Sequence, residues 1–334
     1  MTKRPRIALV ATGGTIDALG ADRLDLAFYL ETGRRLGPGE LLARIPEVAG
    51  IAEVVEVPFR PRPSHAFRDA DLLELWRTVD GAFADGADGV VVTHGTNTLE
   101  ETAYFLHLTA RTERPIVLTG AMRPASAVSS DGDLNLLNAI RVAADPGAIG
   151  LGTLVLLDDR IWSAREVTKG STFRTDAFVA RDTGPLGVAD ADGRVVWFHR
   201  PVRGRAAGAP PPFDVRGLDA LPRVDVAVSY VGADGTAVDA FVAAGARGIV
   251  SAATGAGYPT PSEAAALERA TAAGVVVVIA SRVGAGRVAR SPSMAARGWV
   301  AAGDLVPWKA RLLLSLALTR SADPDEIQTW FDEL

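Results

Sequence analysis

A chain of 334 residues exceeds what one hydrophobic core usually serves, and its 48% hydrophobic and 22% charged residues exclude a mainly disordered or fibrous protein. With 35 Lys and Arg against 40 Asp and Glu, the net charge of -5 has the wrong sign for a protein that lives on phosphate backbones. Zero cysteine excludes disulfides, thiolate nucleophiles and cysteine-held metals.

The amino end, Met1 to Arg6, is basic like a signal peptide, but the apolar run behind it, Ile7 to Ala11, is broken by Thr12-Gly-Gly14. That run reads as a buried strand. Further apolar runs at Val54–Val57, Val90–Thr93, Ile116–Leu118 and Leu154–Leu157 read as parallel strands covered on both faces. Helical periods lie between them, from Asp71 onward and over Leu99–Leu108, with His107 expected on a partly exposed helix face. Thr98-Leu-Glu-Glu101 has capping-box spacing and predicts a helix start. From Arg200 to Gly217 the apolar pattern lapses into glycine and three consecutive prolines, which predicts an extended linker. Beyond it Val224–Val228, Gly248–Ser251 and Gly274–Ala280 repeat the strand-helix alternation. Arg287 and Arg290 read as part of a solvated glycine-rich stretch. The expected fold is therefore α/β in two domains. Residues 1–199 form a larger, mostly parallel sheet flanked by helices, 200–220 a linker and 221–334 a smaller α/β domain. The longest apolar candidate for a membrane span, Val275–Ala280, falls far short of the roughly 18 residues needed, and the reading is cytoplasmic with no membrane or nucleic-acid partner.

In open parallel sheets ligands bind beyond the carboxyl ends of the strands. Three runs end in glycine-bearing, mostly hydroxyl-rich turns: Ala11-Thr-Gly-Gly-Thr-Ile16, Thr93-His-Gly-Thr-Asn-Thr98 and Thr119-Gly-Ala-Met-Arg-Pro124. One such turn alone is ordinary turn chemistry. Three together predict a small polar pocket for a ligand carrying a carboxylate. The pair Gly13-Gly14 lacks the third glycine of a dinucleotide fingerprint, and the four histidines, His65, His94, His107 and His199, lack ligand spacing, so neither a cofactor nor a metal is expected.

These motifs, with Asp131-Gly-Asp-Leu-Asn-Leu136 and Val167-Thr-Lys-Gly170, resemble the bacterial L-asparaginase/glutaminase family, and later segments such as Gly184–Gly187, Gly248–Ala252, Ser281–Val283 and Lys309–Leu314 extend the resemblance over nearly the whole chain. The resemblance implies hydrolysis of L-asparagine to L-aspartate and ammonia. Thr15 is then the acylated nucleophile, assisted by Thr96 and Lys169, with Ser64, Asn97, Ala121, Gly14 and Gly95 at the substrate. It also implies a homotetramer built as a dimer of close dimers.

Some positions depart from the family pattern. Its second signature carries aspartate where this chain has Asn97, and that aspartate pairs with the substrate α-ammonium. An amide accepts a hydrogen bond but supplies no charge. The lid tyrosine of the family aligns with Glu31, while Tyr29 stands two residues away; a loop brings either to Thr15, and Tyr29 is taken as catalytic with Glu31 on the substrate side. No carboxylate stands near Ser291–Met294, and Ala256 replaces an asparagine that a neighbouring subunit contributes. These changes leave an alternative: a catalytically weakened relative that binds an amino acid.

Overall fold

The structure, a computed structural model, describes residues 4–37, 39–203 and 210–334. The chain divides into two compact units, Met1–Asp214 and Val215–Leu334.

The first unit contains β1 (Arg6–Ala11), β2 (Glu53–Val57), β3 (Gly89–Thr93), β4 (Ile116–Thr119), β5 (Thr153–Leu157), β6 (Arg160–Ser163), β7 (Thr168–Lys169), β8 (Phe178–Val179), β9 (Gly187–Ala189) and β10 (Val195–Trp197). Its helices are α1 (Glu40–Ala43), α2 (Asp69–Ala84), α3 (Leu99–Thr109) and α4 (Gly132–Ala144), joined by several short 3-10 turns. The described residues of this unit form an eight-stranded sheet in the order β10-β9-β6-β5-β4-β3-β1-β2. The five strands from β5 to β2 run parallel. The antiparallel extension through β6, β9 and β10 has no counterpart in the sequence reading, because its strands are short and only β6 has a well-buried run.

Burial explains why the parallel strands were legible. Ile7, Leu9, Val91, Val117, Leu154 and Leu156 join Leu136, Leu137 and Ile140 of α4 in one apolar cluster. Their alternates Ala8, Val10, Val90, Val92, Leu118 and Val155, which face the opposite way along each strand, are buried too. A strand covered on both faces is apolar throughout.

The second unit contains β11 (Val224–Val228), β12 (Gly248–Ala253), β13 (Val276–Ser281) and β14 (Val300–Ala301), with α5 (Thr236–Ala243), α6 (Pro261–Ala272), α7 (Pro292–Ala296), α8 (Pro307–Ala317) and α9 (Pro324–Glu333). Its described strands pair in sequence order, all parallel.

Four sequence expectations are corrected. The expected linker is not extended throughout: residues 204–209 lie outside the described residues, but Phe213 and Val215 are buried, and Phe213 donates its N–H to the Leu108 carbonyl at 3.2 Å. A helix does begin at Leu99, yet without the capping box, because the Thr98 hydroxyl donates to the Ser64 carbonyl instead, at 2.9 Å. His107 is buried rather than partly exposed. Arg290 is engaged rather than solvated, with Nη1 2.7 Å from Asp325 Oδ1 and Nε donating to the Trp299 carbonyl.

Candidate active site

The order β2-β1-β3 reverses direction at β1, and such a reversal opens a crevice beyond the strand ends where the two following loops part. The loops after β1 and β3 flank that crevice. Thr12 stitches them together, its N–H and its hydroxyl both donating to the Thr93 carbonyl, at 3.0 and 2.9 Å. The Thr12 hydroxyl is thus consumed by the scaffold. Gly13 and Gly14 follow with φ of 94° and 127°, a region that side chains rarely adopt. A Cβ on Gly14 would sit 2.7 Å from the Gly95 backbone, and one on Gly95 would sit 2.5 Å from Ser64 Oγ. Glycine at both positions lets three loops close on one point.

That turn delivers Thr15 into a 3-10 turn in which Thr15, Ile16 and Asp17 are all buried. Thr15 Oγ1 lies 2.8 Å from the Tyr29 hydroxyl. Burial pushes the Tyr29 phenol above its ordinary value, the Thr15 hydrogen bond opposes this, and the charges of Asp131 and Asp25 add to it. Tyr29 therefore keeps its proton at neutral pH. The segment that carries Tyr29 is closed at its neck by an Ala18–Arg35 bridge, by Leu36 N–H donating to the Asp17 carbonyl at 2.8 Å, and by Arg35 Nη1 donating to Asp17 Oδ1 at 2.6 Å. Burial raises the Asp17 carboxyl, partly offset by the Arg35 charge.

Across the crevice His94 is fully buried, its Nδ1–H donating to the Gly95 carbonyl at 2.9 Å and its Nε2 accepting from Thr102 Oγ1 at 3.1 Å. Burial lowers its pKa to about 4, so it is a neutral strut. The next hydroxyl, Thr96 Oγ1, accepts from Lys169 Nζ at 2.9 Å, and Asn97 Oδ1 accepts from the same amine at 3.5 Å. Burial lowers the Lys169 pKa, opposed by the Glu100 charge. An amine with a depressed pKa beside a hydroxyl can take that hydroxyl's proton.

Ala121 follows β4 and is buried. Its loop is fixed by Asp131, which accepts from the N–H groups of Met122 and Arg123, both at 2.9 Å, and by Asn135 Nδ2 donating to the Gly120 carbonyl at 3.1 Å. Ser64 is buried in a 3-10 turn, and the neighbouring Arg62 N–H donates to the Thr12 carbonyl at 3.0 Å.

The structure thus pairs Thr15 with Tyr29 and Thr96 with Lys169, brings Asn97 to Lys169, and gathers Gly14, Gly95 and Ser64 at one crossing. Glu31 does not join them: it is exposed, on the turn after Tyr29, and its expected place at the substrate is not supported. Sequence reasoning missed Asp17, Arg35, Glu100 and Asn135 as supports. The acidic residue that opens a helix behind a glycine turn, Asp131-Gly132, was the available signal for the loop clamp.

Two threonine hydroxyls stand at the switch point of a parallel sheet, one held by a phenol and one by a lysine. Two family descriptions divide the chain: "Asparaginase, N-terminal" matches residues 6–203 and "Glutaminase/Asparaginase C-terminal domain" residues 223–331. A glutaminase-asparaginase of Pseudomonas aeruginosa is 40% identical, over 99% of this chain and 91% of its own length. L-asparaginase 2 of Bacillus subtilis is 41% identical, over 98% of this chain and 86% of its own. A crystal structure of a probable cytoplasmic L-asparaginase from Campylobacter jejuni superposes with a TM-score of 0.94 at 38% identity, covering 99% of this chain and 100% of that one. The chain belongs to the asparaginase family.

Proposed function

We propose that this chain hydrolyses the side-chain amide of L-asparagine, and more weakly related amides, to the acid and ammonia through an acyl-enzyme on Thr15. The observation that carries the reading is the pair of held hydroxyls, Thr15 with Tyr29 and Thr96 with Lys169. Thr15 Oγ attacks the amide carbonyl carbon, and its proton passes by way of Thr96 to the Lys169 amine. The backbone at Gly14 and Gly95 flanks the carbonyl as it becomes an oxyanion. The carbon–nitrogen bond then breaks, the nitrogen takes a proton from the Lys169 side and leaves as ammonia, and the Ala121 carbonyl receives its N–H. Water attacks the resulting ester, giving up a proton to the same amine, and the amine returns it to Thr15 Oγ as the carbon–oxygen bond breaks, restoring Thr15 and releasing L-aspartate. Ser64 holds the α-carboxylate and Asn97 the α-ammonium. Tyr29, protonated, donates into Thr15 Oγ and orients it.

A second reading has one specific support: Lys169 touches Thr96 and not Thr15, so Thr96 itself could be the hydroxyl that is activated. Acid quenching during turnover of L-asparagine, followed by peptide mass analysis, separates the two. An aspartyl group on the peptide holding Thr15 is expected; one on Thr96 reverses the roles, and no ammonia release from any β- or γ-amide would leave an amino-acid-binding protein.

A tetramer of two close dimers and a cytoplasmic location belong to the same proposal. The solved relative, a probable cytoplasmic L-asparaginase, supports the location. Exposed Tyr230, Val231, Tyr258 and Val283 of the second unit, all beyond its strand ends, support assembly. Light scattering at micromolar concentration tests it, a monomer counting against it.

A further inference from the structure

Lys169 Nζ has two neutral oxygen partners, Thr96 Oγ1 and Asn97 Oδ1. The anion bonded to this residue is Glu100, and it reaches the backbone rather than the amine: Lys169 N–H donates to Glu100 Oε1 at 3.2 Å. Glu100 is the second residue of α3, where unsatisfied helical N–H groups favour negative charge. It is only 5% exposed. Its other oxygen, Oε2, is buried and has no hydrogen-bond partner among the described residues.

A side chain that only fastened β7 to α3 would need one acceptor and no charge, and glutamine would serve. A buried carboxylate with an idle oxygen is costly unless its charge is used. We propose that Glu100 is a positioning residue of the active site, whose carboxylate holds the Lys169 backbone and, through space, governs how readily the Lys169 amine gives up its proton. The inference rests on Lys169 acting as the base. Burial favours loss of the amine's proton, and the Glu100 charge opposes that loss.

Other titratable groups lie on the surrounding segments. His94, at the end of β3, is neutral. Arg165 and Glu166 precede β7; Arg165 is buried, and Glu166 Oε2 accepts from Thr183 Oγ1. Glu101 stands next to Glu100 on α3. Across the β7–β8 pair, Lys169 faces Phe178, which carries no charge.

The chain holds three lysines, Lys3, Lys169 and Lys309, so competitive acetylation at a series of pH values, read peptide by peptide, titrates Lys169 without relying on turnover. In Glu100→Gln the Lys169 midpoint is expected to fall by about 0.5–1 pH unit, since a nearby anion favours the charged amine. The acid limb of kcat/KM should move down by the same amount, with KM changed less than about twofold. Glu100→Asp, which keeps the charge but draws it back, should shift both in the same direction by less, and it substitutes for the glutamine variant if that one fails to fold. A midpoint within about 0.2 unit of the parent in both variants would overturn the inference and leave Glu100 a structural tie. A midpoint that falls while the acid limb stays in place would show that Glu100 holds the amine's proton but would remove Lys169 from the role of base, and with it the active-site role inferred for Glu100.

Discussion

The two units follow the same construction rule, parallel strands with helical connections, yet their carboxyl edges differ in kind. In the first unit the edge carries Thr12, Thr15, Thr93, Thr96 and Thr119, all buried, with the hydroxyls of Thr12, Thr15, Thr96 and Thr119 hydrogen-bonded. In the second it carries Val228, Tyr230, Val231, Tyr258 and Val283, each more than half exposed. Strand order accounts for the difference. The order β2-β1-β3 reverses and opens a crevice, whereas β11-β12-β13-β14 never reverses and opens none. Hydroxyls at strand ends become a site only where topology leaves room for a substrate.

The comparison breaks most readily at Thr15. Thr15→Ala should abolish turnover, by about 10³-fold or more, while thermal stability stays near that of the parent, because the turn depends on Gly13 and Gly14 and not on the hydroxyl. Activity retained within about tenfold, a barrier change near 1.4 kcal/mol, would refute the covalent route. Lys169→Met should lower kcat by about 10²-fold or more with KM little changed, since a base acts mainly in the transition state; a loss confined to KM would mean that Lys169 only binds. Gly14→Ala combines a positive φ with a Cβ 2.7 Å from the Gly95 backbone, so a loss of about 2–4 kcal/mol in unfolding free energy is expected together with lost activity. Urea titration measures it, and a cost under about 0.5 kcal/mol would mean that the crossing of loops is not tight.

Asn97→Asp is a subtler probe. A hydrogen bond to a charged group is worth about 1–1.5 kcal/mol more than a neutral one, so KM for L-asparagine should fall by roughly tenfold. The new carboxylate would also stand 3.5 Å from Lys169 Nζ, raising the amine's pKa and moving the acid limb of kcat to higher pH. Steady-state kinetics across pH reads both changes; an unchanged KM would take Asn97 off the α-ammonium. The smallest effect belongs to the other edge. Val231→Ser should leave per-site kcat within about twofold while weakening any assembly seen by light scattering; an altered kcat with unchanged mass would contradict the division of labour between the units.

The central strands were legible because burial on both faces leaves an uninterrupted apolar run, and the site turns were legible because glycine and threonine crowd the same strand ends. What was hidden depended on choices between partners. Thr98 looks in sequence like a helix cap, and only the fold reveals that its hydroxyl serves the Ser64 carbonyl. Tyr29 and Glu31 are indistinguishable by spacing, since which of them meets Thr15 depends on how the segment from Ala18 to Arg35 closes. Glu100 reads as an ordinary acidic residue of a first helical turn, and its tie to Lys169 spans 69 positions of sequence.

The closed neck of that segment has a topological consequence. Its two ends are fastened to each other beside Thr15, and the stretch between them is tied to the loop after β4, Gly20 N–H donating to Ser126 Oγ at 2.8 Å and Val128 N–H to the Arg23 carbonyl at 2.9 Å. A single backbone cut between Arg23 and Phe28 would leave both fragments anchored and the sheet untouched, yet it would release the tether that places Tyr29 over Thr15. Proteolytic nicking there should separate folding from catalysis without changing one side chain.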